Sequence, residues 1–203
     1  MDAAVQIFLV DDEPDVTGAT RWLLESVGLH ATAFNEVAPF LDALPRESGP
    51  ACVVLDLRMP GRSGLELMEH LADVRPDVPV LFLSAHGDVP SAVRAMKLGA
   101  VDFLQKPCNP QQFLEHVGKA CRLARERHAE QRAQTDVAAR LATLSRRERD
   151  VFRRMLDGQS SKESGRALDI SPKTVDVHRA NIVRKLGATS SRDAQQRFRG
   201  VEV

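Results

Sequence analysis

The sequence predicts a five-stranded parallel α/β domain over residues 1–120, a helical linker over 121–140 and a small all-α domain over 141–203. Three observations predict it. Short apolar runs alternate five times with helix-period segments in the first part, which argues a parallel sheet covered on both faces with right-handed crossovers. Short, well-capped helical patterns fill the last part. The charge also divides: residues 1–120 hold 17 Asp and Glu against 9 Lys and Arg, and residues 121–203 hold 11 against 19.

The strands fall near residues 5–10, 30–34, 51–55, 78–83 and 101–104, each an apolar run of strand length. Pro14 suits the first turn of a helix that carries Trp22, Leu23, Leu24 and Val27 and is closed by Gly28. Further helices fit residues 36–44, 64–74, 88–98 and 110 onward. In open sheets of this kind ligands bind beyond the carboxyl ends of the strands. Standing there are Asp11 and Asp12 after the first strand, Asp56 after the third, Ser84 after the fourth and Lys106 after the fifth. Three carboxylates in one crevice repel one another unless a cation offsets them, and hard oxygen ligands suit Mg2+. A carboxylate can attack phosphorus to form an aspartyl phosphate, with the metal, Lys106 and Ser84 balancing charge on the phosphoryl oxygens. Asp56 is the candidate nucleophile. Any one of these residues alone reads as a turn former; five at the strand ends do not.

Through LVDDE, VVLDLRMPG, FLSAHGD and AVDFLQKP, residues 5–120 resemble the receiver domain of two-component response regulators. The resemblance implies a flavodoxin-like sheet of order 2-1-3-4-5. It also implies Mg2+ held by Asp11, Asp12, Asp56 and the backbone carbonyl of Arg58, phosphate-sensing roles for Ser84 and Lys106, an aromatic switch at Phe103, and a cis Lys106–Pro107 bond. A lone Phe in that position also reads as core. The spacing SAHGDVPSAVRAMKLGAVDFLQKP is similar to the FixJ-like subgroup. The competing haloacid-dehalogenase reading, an aspartyl-phosphate hydrolase, wants a second Asp two residues after the nucleophile, and that place is Arg58.

From residue 110 a helix runs on through ACRLARERHAEQRAQTDVAARL, rich in Ala, Arg and Glu, and reads as a solvated linker with at most a weak stripe of Leu123, Ala124, Ala133, Val137 and Leu141. Then LSRRERDVF offers Ser145 as N-cap and Glu148 as its capping-box partner for a helix over 146–156. A second helix over 161–168 is followed by Ser171–Pro172, an N-cap and first-turn proline for a third over 171–186. Gly165 and Asp169 fit a helix-turn-helix, a small residue permitting close approach and a left-handed residue making the turn. LSRRERDV with ISPKTVDVHRANIVRKLGA resembles the LuxR-type helix-turn-helix of FixJ and NarL regulators. Helical spacing buries Val175, Ile182 and Leu186 and turns Lys173, Asp176, Val177, Ala180 and Arg184 outward. The candidate DNA contacts are these five with Thr174, Arg179 and Lys185. Lys173, Arg179, Arg184 and Lys185 suit phosphates; Asp176, Val177 and Ala180 suit base edges. Ser161–Gly165 departs from the family's Asn-Lys-x-Ile-Ala, placing Ser164 where relatives pack an apolar side chain.

The resemblance implies a transcription regulator phosphorylated by a sensor histidine kinase or small phosphodonor, which dimerises and binds paired half-sites on double-stranded DNA, with RNA polymerase a further partner. A nucleoid binder independent of phosphorylation would leave the acidic crevice unexplained. No apolar run reaches the roughly 18 residues of a membrane span, and MDAAVQIFLVDDEPD lacks a basic start, so a cytoplasmic protein is expected. Cys52, Cys108 and Cys121 lack metal-ligand spacing and read as reduced, packed thiols.

Overall fold

The computed structural model describes residues 4–44, 49–85 and 87–200. Strands β1 (Gln6–Val10), β2 (Ala31–Phe34), β3 (Ala51–Leu55), β4 (Val80–Ser84) and β5 (Asp102–Gln105) form one parallel sheet of order β2-β1-β3-β4-β5, as expected. Between them run α1 (Pro14–Glu25), α2 (Val37–Ala43), α3 (Gly64–Val74) and α4 (Val89–Lys97), and α5 (Pro110–Ala142) follows β5. The central strands β3 and β4 are buried at every position, which is why they read as unbroken apolar runs. Alternate side chains enter two cores: Val53, Leu55 and Phe82 pack on one face of the sheet, and Cys52, Val54 and Leu81 on the other. β4 begins at Val80 and ends at Ser84, later than the expected 78–83; Val78 is buried but precedes the ladder.

The linker was expected to be solvated throughout, and it is so only in part. Cys121 and Ala124 are buried against the sheet with Val117 and Ala120. Val137 and Leu141 pack into the C-terminal core instead of forming a pairing stripe. The intervening turns from Ala129 to Asp136 are exposed. The chain divides into two compact units between Gln131 and Arg132, inside this helix. A buried ionic cluster secures the first unit's share of α5. Arg75 donates through Nε and a terminal nitrogen to Asp77 at 2.7 and 2.9 Å, and His128 Nδ1 lies 3.2 Å from the same carboxylate. Burial opposes ionisation of Asp77, but the bonds from Arg75 and His128 outweigh it and hold the carboxyl below its ordinary range.

The C-terminal unit packs α6 (Arg146–Leu156), α7 (Ser161–Leu168), α8 (Pro172–Lys185) and α9 (Ser191–Arg197) around Leu144, Val151, Phe152, Met155, Val175, Ile182 and Leu186. Both Ser145–Glu148 and Ser160–Glu163 close capping boxes. Asp169 ends α7 in the left-handed region at φ 54°, and a Cβ on Gly165 would lie 2.8 Å from the Ile170 carbonyl oxygen. These two residues therefore set the helix-turn-helix as their spacing predicted: Gly165 admits the turn's backbone, and Asp169 reverses the chain.

Candidate functional site

The parallel topology brings the strand ends together, and the backbone fixes each acid. Asp11 N donates to Phe34 O at 3.1 Å, Asp56 N to Val10 O at 2.9 Å, and Lys106 N to Ser84 O at 2.9 Å, so each functional residue is registered by the neighbouring strand. Asn35 Nδ2 donates to the Asp11 carbonyl at 2.8 Å and to Thr17 Oγ1 at 3.3 Å, bracing the same loop. Carboxylate oxygens of Asp11, Asp12 and Asp56 lie within 4.8 Å of one another. Asp11 and Asp56 are buried, Asp12 is half-buried and Ser84 is fully buried.

Lys106 Nζ donates to Asp11 Oδ2 at 2.6 Å and stands 4.0 Å from Asp56 Oδ2 and 3.8 Å from Glu13 Oε1. The Lys106–Pro107 bond is cis. Asp56 Oδ1 accepts the Leu57 N–H at 2.7 Å, so Oδ2 is the oxygen left facing the other acids and the lysine. Burial raises the Asp11 carboxyl above its ordinary range, against the pull of Lys106 and the Glu13 N–H, with the Asp56 charge adding to the rise. Carboxylates crowded in this way, with the Lys106 ammonium beside them, form a set of hard oxygen donors that fits a divalent cation such as Mg2+. Arg58 is exposed in the loop after Asp56. Phe103 is half-buried, its ring stacked on Phe82 with centroids 5.7 Å apart.

Sequence reasoning missed three contributors here. Glu13 is announced by the LVDDE run, but Asn35 carries no signal, and Gly64 is visible only in three dimensions. A Cβ on Gly64 would lie 2.2 Å from the Asp56 carbonyl oxygen. The loop bearing Asp56 can turn into α3 only over a glycine, and Gly64 N donates to Leu57 O at 2.8 Å to hold that turn.

On α8 the buried face is Val175, Ile182 and Leu186, and Lys173, Asp176, Val177, Ala180 and Arg184 are exposed, as the helical spacing predicted; Thr174 is exposed as well. Arg179 and Lys185, candidate phosphate contacts outside that set, are half-buried. A terminal nitrogen of Arg179 donates to the Gln159 carbonyl, and Lys185 Nζ pairs with Glu148 at 2.6 Å and reaches the Thr143 carbonyl at 3.1 Å. Their positions on the helix turn these cations toward α6 and the loop before α7, so both brace the unit. Asp176 is exposed, but Oδ1 accepts from Ser161 Oγ, a bond from α8 to the start of α7.

Residues 7–118 match the response regulator receiver domain model, and residues 142–198 match the model for bacterial regulatory proteins of the luxR family. The chain is 42% identical to the transcriptional regulatory protein FixJ of Bradyrhizobium diazoefficiens over 184 residues, covering 91% of this chain and 89% of that one. It is also 42% identical to the transcriptional regulatory protein TdiR of Thauera aromatica over 190 residues, covering 94% and 83%. The response regulator StyR superposes with a TM-score of 0.84 at 36% identity over 97% of this chain and 98% of that one. Full-length FixJ from B. japonicum gives a TM-score of 0.57 at 40% identity, covering 95% of each chain. With an acidic crevice at the strand ends of its first unit and a helix-turn-helix in its second, the chain belongs to the response-regulator family of FixJ type, DNA-binding transcription regulators controlled by phosphorylation.

Proposed function

We propose that Asp56 is the phosphoacceptor and that its phosphorylation, by a sensor histidine kinase or a small phosphodonor, controls dimerisation and promoter binding. The observation that carries this reading is the convergence of Asp11, Asp12 and Asp56 within 4.8 Å, with Lys106 Nζ 4.0 Å from Asp56 Oδ2. Asp56 Oδ2 attacks the phosphorus, the donor's imidazole or acyl oxygen leaves, and the negative charge on the phosphoryl oxygens is met by Lys106 and the Ser84 hydroxyl. Asp11, Asp12, Asp56 and the Arg58 carbonyl would hold Mg2+, which when bound offsets repulsion between the acids and the incoming phosphoryl oxygens.

Phe103 is the proposed switch residue, moving inward as Ser84 turns toward the phosphate; Gly87 lies beside its ring and leaves it room. The proposed dimer face is the α4–α5 side, where Val89, Val93 and Met96 of α4, and Leu98 just after it, are exposed. On DNA, Lys173, Thr174 and Arg184 position the backbone, while Asp176, Val177 and Ala180 face base edges in paired half-sites. The protein acts in the cytoplasm as a regulator rather than an enzyme, activating transcription through RNA polymerase. Among the described residues no helix is long and apolar enough to cross a membrane.

The test is intact-mass measurement of the parent and Asp56→Asn after incubation with acetyl phosphate, with and without Mg2+. The parent gains one phosphoryl group only with Mg2+, and the folded variant gains none. A variant labelled as fast as the parent would overturn the assignment.

A further inference from the structure

Two of the three cysteines meet, although they stand 69 positions apart in sequence. Cys52 lies in β3, paired with Ile7 of β1, and Cys121 lies on the face of α5 that covers the sheet; their Sγ atoms are 3.9 Å apart. Both are reduced and buried among Val54, Leu81, Leu104 and Val117. Cys108 is only half-buried and sits apart in the loop after β5. The hydrogen bond to Cys121, with burial, pushes the Cys52 thiol up; the hydrogen bond from Cys52, helped by Arg125 and Arg122 on the adjacent turns of α5, overcomes burial and pulls Cys121 down.

We infer that Cys52 and Cys121 are a dithiol site that a small hydroperoxide converts to an intramolecular disulfide joining β3 to α5. A disulfide places its sulfurs about 2.0 Å apart, so the two Sγ atoms must close by roughly half their present separation. Side-chain rotation with a small shift of α5 provides this, because α5 is one helix packed on the sheet face and both thiols project into the same seam.

The chemistry balances in two steps. The Cys121 thiolate attacks one peroxide oxygen; an S–O bond forms, the O–O bond breaks, and the other oxygen leaves, taking a proton, as an alcohol or water. The Cys52 sulfur then attacks the sulfenic sulfur, the S–S bond forms, and water leaves with the Cys52 proton. Two thiols are oxidised and one peroxide is reduced. Cys121 is 5% exposed, so the reaction waits on local opening of α5 and is slow beside that of a surface thiol. The product ties α5 to a strand whose next residue after its end is Asp56, and it constrains the helix that runs on to Ala142.

The full chain carrying Cys108→Ser is treated with hydrogen peroxide while circular dichroism confirms that it stays folded, then denatured and alkylated with N-ethylmaleimide. Both remaining thiols are expected to become unreactive, with a peptide pair linking residues 52 and 121 that dithiothreitol separates. Adding Cys52→Ser should leave Cys121 as a sulfenic acid trapped by dimedone, whereas Cys121→Ser should leave Cys52 a free thiol. The unsubstituted protein, mapped in the same way, should give the same 52–121 link, so the result does not depend on a variant's folding. Full alkylation of both thiols after peroxide, a link that forms only between chains, or a link made only by unfolded protein would overturn the proposal.

Discussion

Adjacent residues near the end of the recognition helix should respond to removal of their charge in opposite ways. Lys185 Nζ is 2.6 Å from Glu148 Oε2, and Glu148 is 5% exposed. Breaking a fully buried ion pair by deleting one partner costs about 3–5 kcal/mol, because the other charge is left desolvated. The Lys185 side chain keeps 32% exposure, and Glu148 retains the Ser145 N–H at 2.8 Å, so water and the capping box recover part of that loss. About 1–3 kcal/mol remains for Lys185→Met, which in a domain of this size lowers the midpoint by roughly 5–20 °C. Arg184 is exposed, and its guanidinium reaches Asn181 Oδ1 at 3.1 Å. Arg184→Ala should therefore leave stability within about 0.5 kcal/mol and lower the salt slope of DNA binding by about one unit, one phosphate contact being lost.

Calorimetry of the full chain, with hydrogen exchange to locate the destabilised unit, reads the first effect; fluorescence anisotropy on one duplex at several salt concentrations reads the second. Glu148→Gln added to Lys185→Met should recover most of the stability, since it removes the stranded charge. If Lys185→Met lowers the salt slope by one unit and leaves unfolding unchanged, its ammonium faces phosphate, and the bracing role assigned to it is wrong.

Three further outcomes follow from the same geometry. Gly64→Ala forces a methyl group against the Asp56 carbonyl, and should cost the receiver about 1–3 kcal/mol in urea unfolding and slow labelling by acetyl phosphate. Ser164 Oγ is fully buried with no hydrogen-bond partner among the described residues, so Ser164→Ala should raise the stability of the C-terminal unit by about 1 kcal/mol, read as a midpoint higher by roughly 4–8 °C. Glu148 is held below the ordinary glutamate range: burial opposes its ionisation, and the bonds from Lys185 and Ser145 outweigh burial. Its folded value is the lower one, so its contribution is present above the unfolded pKa of about 4.3 and is lost as pH falls through the folded value. Acid titration of unfolding should show that loss in the parent and not in Glu148→Gln.

The receiver's fold and its acidic crevice were legible because both are written in local signals. Apolar runs mark the buried strands, and the topology of a parallel sheet delivers whatever follows each strand to one edge, so Asp11, Asp56, Ser84 and Lys106 converge without any pairwise information. The helix-turn-helix was legible for a similar reason: Ser145 and Ser171 cap two of its helices as read, and Gly165 with Asp169 makes the turn, while the Ser160 cap of α7 emerged only in the structure. Contacts between distant elements were not legible. Lys185 with Glu148, His128 with Asp77, and Cys52 with Cys121 join residues 37, 51 and 69 positions apart, and no helical or strand period connects them. The buried start of the linker was missed because α5 covers the sheet there with small residues, Ala120, Cys121 and Ala124, which give only a faint apolar stripe.

The charge balance of the crevice suggests how one phosphoryl group can act on the whole receiver. In the arrangement described here Lys106 is committed to Asp11 at 2.6 Å and stands off Asp56 at 4.0 Å. Asp11 is a reluctant partner, since burial favours its neutral form. A dianionic phosphoryl group on Asp56 would extend toward Lys106 and offer stronger acceptors than a buried carboxylate, while a divalent cation on Asp11 and Asp12 would satisfy the charge that Lys106 leaves. On the proposal that Asp56 accepts the phosphoryl group, phosphorylation would amount to an exchange of ion-pair partners across a few ångströms. The exchange would pull on Lys106, whose backbone N–H is bonded to the Ser84 carbonyl at 2.9 Å, and β5, which ends one residue earlier, carries Phe103. A rearrangement at the phosphate would thereby be connected through two bonded strand ends to the ring of Phe103.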